Sequence, residues 1–355
     1  MRPQLLALKT AVPSHVLLQS DVRASISELF RGRRDIDRML PVFDHAGIRK
    51  RHSCAPIGWY AERHGWSERT RLYLDNAVPL LERVARDCLE AAGMSAADID
   101  AVVVVSTTGI ATPSLDALLV ERMQLRRDVQ RLPIFGLGCA GGVVGLARAA
   151  ALASANPGSR VLFLVVELCT LTFRLDDSSK SNIVAAALFG DGAAGAILSC
   201  AGGHGPSIGP AGEYTWPDSL DIMGWDVEED GLKARFSQNI PVLVRAHFRE
   251  VLQEFLCRHR LNVSAFDGFA CHPGGAKVLD ALEEALGLEA GALEDSRAIL
   301  REYGNMSAAT ALFVLERMQG TTNRTLMSAL GPGFTAGFLV LDNEGASGSD
   351  AIRVQ

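Results

Sequence analysis

The distribution of apolar residues along the chain predicts alternating strands and helices. Predominantly apolar runs at residues 5–12, 101–106 and 132–135 predict strands, and the second, which consists almost wholly of valine, is typical of a strand buried on both faces. Apolar residues at helical spacing over residues 72–92 predict a long helix, and Gly93 suits its C-terminal cap. Strands that alternate with helices indicate an α/β protein whose parallel strands are covered by helices.

Two parts of the chain resemble each other. Residues 100–109, a buried strand followed by a polar turn, match residues 267–275, and residues 138–166 match residues 304–329 in the order turn, helix and strand. An internal duplication of strand and helix units explains this similarity.

We therefore expect an α/β fold of two pseudo-repeated halves with mostly parallel sheets. The Gly/Pro-rich stretch 202–212 is the predicted join, which places the first domain at residues 1–205 and the second at residues 206–355. In such folds the crevice at the carboxyl ends of the strands is the natural ligand site.

Three chemically distinctive residues are predicted to meet at that crevice. Cys139 lies between the apolar run 132–135 and an alanine-rich helical pattern, and a thiol at a helix N-terminus is expected to have a lowered pKa. His272 ends the strand predicted at residues 268–271, and Asn305 occupies the position of Cys139 in the second repeat. The duplication thus brings one nucleophile and two hydrogen-bond donors to one place.

These residue types suit acyl transfer followed by carbon–carbon bond formation. A cysteine can accept an acyl group from a thioester, with an imidazole to take its proton. Decarboxylation of a malonyl thioester then develops negative charge on the thioester oxygen, which His272 and the amide of Asn305 could stabilise as an oxyanion hole. The alternative interpretations are a buried structural cysteine, a core histidine and a helix-capping asparagine.

Composition narrows the class of protein. The 355 residues carry a net charge of −6 with an isoelectric point near 5.8, which argues against nucleic-acid binding. The seven cysteines are scattered without metal-ligand spacing, so we expect a reduced, cytoplasmic protein with neither disulfides nor a metal site. The sequence predicts no membrane span and no signal peptide.

Five short motifs, taken together, resemble those of one enzyme family. The chain is similar to the thiolase superfamily and, within it, to the type III polyketide synthases of the chalcone and stilbene synthase family, most closely to bacterial members. The resemblance extends over residues 5–341 and rests on Gly138-Cys139-Ala-Gly-Gly, Leu188-Phe189-Gly-Asp-Gly-Ala-Ala194, Cys271-His272-Pro-Gly-Gly275, Tyr303-Gly-Asn305-Met-Ser307 and Ala329-Leu-Gly-Pro-Gly333.

The resemblance implies a thiolase-like layered αβαβα fold and a catalytic triad. By similarity, Cys139 carries the acyl group while His272 and Asn305 promote decarboxylation of malonyl-CoA. Phe189 falls at the position of a gatekeeper phenylalanine. The second gatekeeper position of plant enzymes falls at Ala234, which is not aromatic, so we expect either a wider opening or a role for Phe236.

The resemblance also assigns the surroundings of the site. It implies CoA binding by Arg49, Lys50 and Arg51, and a homodimer in which the loop at residues 112–113 approaches the cavity of the partner subunit. It implies CoA thioester substrates without a permanently bound cofactor, metal or carrier protein. The cavity-lining residues that it implies are Thr107, Cys169, Thr172, Gly331, Pro332 and Gly333.

Several activities remain open at this stage. We expect repeated condensation of malonyl-CoA onto an acyl-CoA starter, with a long fatty acyl group as the favoured class, ending in alkylpyrone or alkylresorcinol products. Within the family the alternative is a synthase that uses malonyl-CoA alone to form a naphthol. Outside it the rivals are a β-ketoacyl synthase III of fatty acid synthesis, a 3-hydroxy-3-methylglutaryl-CoA synthase and a non-catalytic partner of the same fold. The motif His272-Pro-Gly-Gly275 favours the polyketide synthase.

Overall fold

The computed structural model describes residues 2–33, 35–237 and 239–343, so the outer ends of both predicted domains lie outside the described residues. The strands are β1 (Gln4–Ala11), β2 (His15–Leu18), β3 (Lys50–Ser53), β4 (Ala101–Val105), β5 (Gln130–Ile134), β6 (Arg160–Leu168), β7 (Asp191–Ser199), β8 (Ser207–Thr215), β9 (Met223–Glu228), β10 (Gly231–Phe236), β11 (Gly268–Cys271), β12 (Arg324–Gly331) and β13 (Thr335–Asp342). The helices are α1 (Gln19–Leu29), α2 (Ile36–Met39), α3 (Pro41–His45), α4 (Trp66–Ala91), α5 (Leu115–Arg122), α6 (Gly141–Ala155), α7 (Lys180–Leu188), α8 (Ile240–Leu243), α9 (Arg249–Arg258), α10 (Ala276–Leu286), α11 (Glu294–Tyr303) and α12 (Thr310–Arg317).

Nine of these strands form one sheet in the order β11-β12-β13-β8-β1-β7-β6-β4-β5. Its two parts meet at β1 and β8, where only Gln4 and Ser207 are paired. The strands β11, β12, β13 and β8 therefore form one part of the sheet, and β1, β7, β6, β4 and β5 form the other.

Side chains on the two faces of each part enter different cores. Val103 and Val105 of β4 pack with α6 and α12 in a central core that also contains Met327 of β12, whereas Val102 and Val104 pack against α4 and α5. On β12, Leu326 faces a third core formed with α9, α10 and α11. The resulting order of helices, strands, central helices, strands and helices confirms the predicted layered αβαβα fold.

Strand direction differs from the prediction of mostly parallel sheets. Only β4–β5, β4–β6 and β11–β12 pair in parallel within the nine-stranded sheet, and the other pairs are antiparallel. Strands such as β7 and β13 are buried on both faces, and an apolar run of that kind does not specify the direction of its neighbour.

The central helix α6 is held very close to its neighbours. A Cβ atom at Gly142 would lie 2.1 Å from the carbonyl oxygen of Ala308, so a side chain has no room there. The stretch Gly138–Ala155 is also long and apolar enough to cross a membrane, but 67% of it is buried inside the protein. Its packing between the two parts of the sheet explains its composition as that of a core helix.

Candidate active site

Cys139 occupies a tight turn between β5 and α6, as the sequence predicts. Gly138–Ala140 form a single 3-10 turn, and α6 begins at Gly141. Gly138 has a φ of 46° and its N–H group donates to Thr107 Oγ1 at 3.1 Å. The thiol is thus held at the beginning of a buried helix, where it stays partly accessible.

The predicted catalytic residues come together in one cavity. This cavity has a volume of about 450 Å³ and is lined by Cys139, His272 and Asn305; we call it the reaction cavity. His272 follows β11 and its main-chain N–H group donates to Ser328 O at 2.8 Å, which ties the residue to β12. Residues more than 130 positions apart therefore share one site.

The imidazole of His272 is buried without a hydrogen-bond partner. The residue is 4% exposed, and neither Nδ1 nor Nε2 has a partner among the described residues. Burial lowers the pKa of His272 to about 4, because the charged form is poorly solvated there. A neutral imidazole with both nitrogen atoms unused can take a proton from a thiol or donate a hydrogen bond to a ligand.

The amide of Asn305 is fixed in orientation. Its Oδ1 accepts a hydrogen bond from the Ser307 N–H group at 2.9 Å, so Nδ2 is the group that faces Gly274 O, at 3.3 Å. Ser307 reaches this position with a φ of 47°, a backbone conformation that is costly for serine and is maintained by its surroundings. The donor side of the amide is therefore directed into the reaction cavity.

The pKa of Cys139 contradicts the expectation of a low-pKa thiol. Burial raises the pKa to about 12, with a smaller contribution from the nearby carboxyl group of Glu167. The polar side chains of Ser307 and Asn305 favour the thiolate, but their effect is weaker than that of burial. Desolvation thus outweighs the helix N-terminus, and the resting thiol is neutral.

Sequence reasoning missed Glu167, a carboxyl group close to the nucleophile. Its side chain is fully buried at the end of β6, and Oε2 accepts from the Thr107 N–H group at 3.0 Å and from Thr108 Oγ1 at 2.7 Å. Burial raises its pKa to about 7. A charged residue that directly follows the buried run at residues 161–166 was the available signal in the sequence.

The gate position Phe189 is packed against two aromatic residues. Its ring centroid lies 5.7 Å from that of Trp225 and 5.4 Å from that of Phe236. Trp225 is the cross-strand partner of Ala234 in the β9–β10 hairpin. Phe236 therefore packs on Phe189, and so does Trp225, which sequence reasoning did not assign; a role of Phe236 in a gate stays a prediction.

A second cavity lies on the other side of α7 and we call it the side cavity. It has a volume of about 230 Å³, its lining is predominantly apolar, and Cys169, Thr172 and Phe189 line it as predicted cavity residues. Val184 and Leu188 of α7 line the reaction cavity, whereas Ala185 and Phe189 line the side cavity. The end of α7 is thus the wall between the two cavities.

Other predicted cavity residues support the nucleophile turn instead. Thr107 is 1% exposed and spends its hydrogen bonds on Gly138 and Glu167, so it lines neither cavity. A Cβ atom at Gly138 would lie 2.5 Å from the ring of Pro332, and one at Gly331 would lie 2.5 Å from Leu137 O. The Gly331–Gly333 loop therefore packs against the turn that carries Cys139, and its place in a cavity wall stays a prediction.

The comparisons with known proteins agree with the motifs. Family models for the N-terminal and C-terminal domains of chalcone and stilbene synthases match residues 60–202 and 211–344. The chain belongs to this family. The predicted class of enzyme, a type III polyketide synthase that transfers acyl groups, is thereby confirmed.

Bacterial members of the chalcone and stilbene synthase family are similar over nearly the whole length. A putative chalcone synthase of Bacillus subtilis (strain 168) is 36% identical, covering 96% of this chain and 98% of the relative. A 1,3,6,8-tetrahydroxynaphthalene synthase of Streptomyces peucetius subsp. caesius is 39% identical, covering 94% and 92%. The crystal structure of the Streptomyces coelicolor A3(2) tetrahydroxynaphthalene synthase superposes with a TM-score of 0.92, with 29% identity and coverage of 97% and 100%.

The basic residues that were predicted to bind CoA do not line the reaction cavity. Arg49 donates from Nε to Glu302 at 3.1 Å, and Lys50 lies 3.7 Å from the same carboxylate. Arg51 is 1% exposed and binds main-chain carbonyl groups, so it cannot meet a phosphate. For Arg51 the prediction is wrong, because β3 places it on its inner face, where a strand alternates its side chains. For Arg49 and Lys50, whose side chains are 66% and 32% exposed, CoA binding stays a prediction.

A different set of basic side chains lines the reaction cavity. They come from α2, α3, α7 and α10, which are separate in sequence: Arg38, His45, Lys180 and Lys277. Lys277 lies in the first turn of α10, where main-chain N–H groups also favour an anion. Among the described residues, no cluster of three or more His, Cys, Asp or Glu side chains has metal-binding geometry.

Proposed function

We propose that this enzyme loads an acyl group from CoA onto Cys139 and extends it by decarboxylative Claisen condensation with malonyl-CoA. The observation that carries the proposal is the reaction cavity, in which a partly accessible thiol, an unpartnered imidazole and an oriented amide converge. In the loading step the bond between the acyl carbon and the CoA sulfur breaks while a bond to Cys139 Sγ forms. His272 takes the thiol proton and delivers it to the departing CoA sulfur.

His272 and Asn305 are then the hydrogen-bond donors in the condensation. Loss of CO2 from malonyl-CoA leaves an enolate whose oxygen accepts hydrogen bonds from His272 and from Asn305 Nδ2. The enolate carbon attacks the acyl group on Cys139, forming the new carbon–carbon bond and releasing the thiolate. Transfer of the extended chain back to Cys139 permits further rounds before cyclisation. CoA thioesters are thus the substrates, as is general in the family.

The CoA moiety is proposed to enter past the basic residues of the reaction cavity. Arg38 and Lys277 supply positive charge for phosphate groups, and the N-terminus of α10 beside Lys277 supplies main-chain donors. Replacement of Arg38 or Lys277 by glutamine should raise the KM for malonyl-CoA with a smaller change in kcat.

The starter is proposed to be an acyl-CoA with an apolar tail, and the products to be alkylpyrones or alkylresorcinols. The apolar side cavity, directly across α7 from the reaction cavity, supports this choice. Condensation of malonyl-CoA alone to a naphthol is the second candidate. It is supported by the similarity to tetrahydroxynaphthalene synthases. The match to chalcone and stilbene synthase models disfavours a β-ketoacyl synthase III.

The enzyme is further proposed to act as a homodimer in the cytoplasm. Ile110, Leu132 and Phe135 expose 45%, 38% and 56% of their surface near one end of the nine-stranded sheet, whose edge strand is β5. An apolar surface of this kind is suited to a second copy of the chain. All seven cysteines are unpaired, as a reducing compartment favours. Sedimentation analysis of the parent and of Phe135→Asp would test the dimer.

The product profile of the purified enzyme tests the proposed activity. The enzyme is given malonyl-CoA alone and then malonyl-CoA with acyl-CoA starters of increasing chain length, with Cys139→Ala as the blank, and products are identified by mass spectrometry. Triketide or tetraketide products that carry the alkyl tail support the acyl starter. Formation of a naphthol from malonyl-CoA alone supports the second candidate. A single condensation that needs malonyl on acyl carrier protein contradicts both.

A further inference from the structure

Arg51 is a buried cation that the proposed chemistry does not use. It is 1% exposed, lines the side cavity, and lies on β3 with its guanidinium against the end of α7. Burial lowers its pKa to about 9, and the buried carboxyl group of Asp191 acts in the opposite direction. A guanidinium is costly to bury unless its donors are used, so its partners indicate what it does.

Those partners are the last carbonyl groups of the wall between the cavities. Nη1 donates to Ala186 O at 2.7 Å and to Phe189 O at 3.1 Å, and Nη2 donates to Ala187 O at 3.1 Å. A helix leaves its last four carbonyl groups without helical partners, and a cation at that end also complements the helix dipole. Arg51 therefore caps α7 and binds the main chain of the gate residue itself.

The same segment is attached on its other side to the donor residue. Asn305 N donates to Leu188 O at 2.8 Å, and Gly190 N donates to Asn305 O at 3.0 Å. These bonds form an isolated parallel bridge between Phe189 and Asn305. The space is tight, because a Cβ atom at Gly190 would lie 2.3 Å from Tyr303 O and 3.2 Å from the Cβ atom of Arg51. Movement of the segment would displace the gate and the amide together.

We propose that Arg51 is a positioning residue that fixes Phe189 and Asn305 in register by binding the carbonyl groups at the end of α7. The proposal rests on the roles of Phe189 and Asn305 proposed above. A planar guanidinium can bind three carbonyl groups at once, whereas the ammonium group of lysine is a single point of attachment. Displacement of a donor by about 1 Å can lower a rate by about a hundredfold.

The test compares Arg51→Lys and Arg51→Met with the parent enzyme. The expected result is a fall of about tenfold to a hundredfold in malonyl-CoA decarboxylation, together with a changed preference for starter chain length. Formation of acyl-Cys139, measured by intact-protein mass spectrometry, should stay within about threefold of the parent, because Cys139 is held by a different segment. Arg51→Lys should retain more decarboxylation than Arg51→Met.

A matched control separates positioning from general destabilisation. Arg324→Lys alters a partly exposed ion pair with Asp342 at the start of β12, the end of the strand away from the reaction cavity. It should lower the melting temperature without changing decarboxylation per folded molecule or the starter preference. An unchanged rate and preference in both Arg51 variants would overturn the proposal, as would failure of both to fold, which would assign Arg51 to stability alone. A parent enzyme that releases no CO2 would instead refute the proposed function.

Discussion

Replacement of Asn305 gives the sharpest test of the oxyanion hole. The residue is 2% exposed, its Oδ1 is engaged by the Ser307 N–H group at 2.9 Å, and Nδ2 is one of the two side-chain donors assigned to the enolate. Asn305→Asp keeps an acceptor for Ser307 but cannot donate when ionised. Asn305→Ala removes both functions. The pair therefore separates the loss of the donor from the loss of local structure.

The expected loss follows from the number of donors. Removal of one oxyanion-hole donor typically costs about 2.7–4 kcal/mol of transition-state stabilisation, which corresponds to about a hundredfold to a thousandfold in rate. Asn305→Ala should show this loss in decarboxylation. Asn305→Asp should be at least as slow, because its carboxylate repels the developing enolate. Asn305→Ala should also be less stable than the parent, by about 1–3 kcal/mol, since the buried Ser307 N–H group loses its acceptor.

The assay is release of CO2 from malonyl-CoA with the formation of acetyl-CoA measured in parallel. Acylation of Cys139 by a starter is followed by intact-protein mass spectrometry in each variant, as the control for folding and for the nucleophile. Decarboxylation within about threefold of the parent in both variants, with normal acylation, would refute the donor role of Asn305. A fall in acylation as large as the fall in decarboxylation would show that the residue acts on Cys139 instead.

Three further experiments test Cys139 and Glu167. Cys139→Ala should abolish condensation while Cys139→Gln retains malonyl-CoA decarboxylation; loss of CO2 release in Cys139→Gln would mean that the donors need the thiol. Because the pKa of Cys139 is raised to about 12, its alkylation by iodoacetamide should be slow at pH 8 and rise above pH 10, and rapid labelling at pH 7 would contradict a neutral thiol. The pKa of Glu167 is raised from 4.5 to about 7, so the folded state binds the extra proton and stability is lost as pH rises from 4.5 through 7, by about 3 kcal/mol. Glu167→Gln should remove that part of the pH dependence of the free energy of unfolding, measured with denaturant. If that free energy differed between pH 5 and pH 8 as much in the variant as in the parent, the assignment to Glu167 would be disproved.

The sequence was sufficient for the α/β elements and for the convergence of Cys139, His272 and Asn305, because those depend on local patterns and on the internal repeat. Glycine-bounded turns after buried strands placed Cys139 and His272 correctly at strand ends, and the internal repeat placed Asn305 opposite them. Strand direction was not accessible, since β7 is buried on both faces and an uninterrupted apolar run fits either direction.

The error at Arg51 has a different physical origin. A cluster of basic residues usually marks a solvated surface or an anion site, and the resemblance assigned Arg49, Lys50 and Arg51 to CoA. Lys50 and Arg51 lie in strand β3, whose side chains alternate between a partly exposed face with Lys50 and His52 and a buried face with Arg51 and Ser53. Charge density along a sequence therefore cannot assign function until the period of the element is known.

Desolvation decides the charge state of the site and suits its two reactions. Burial raises the pKa of Cys139 and lowers that of His272, so the pair rests as neutral thiol and neutral imidazole. A resting imidazolium could not take the proton of the thiol during loading, whereas a neutral imidazole can. In the proposed mechanism His272 acts first as a base toward Cys139, a proton transfer that runs uphill between these two pKa values, and, once the thiol is acylated, as a hydrogen-bond donor to the enolate. The helix N-terminus at Cys139 then acts on the transient thiolate, where its stabilisation lowers the barrier to acyl transfer.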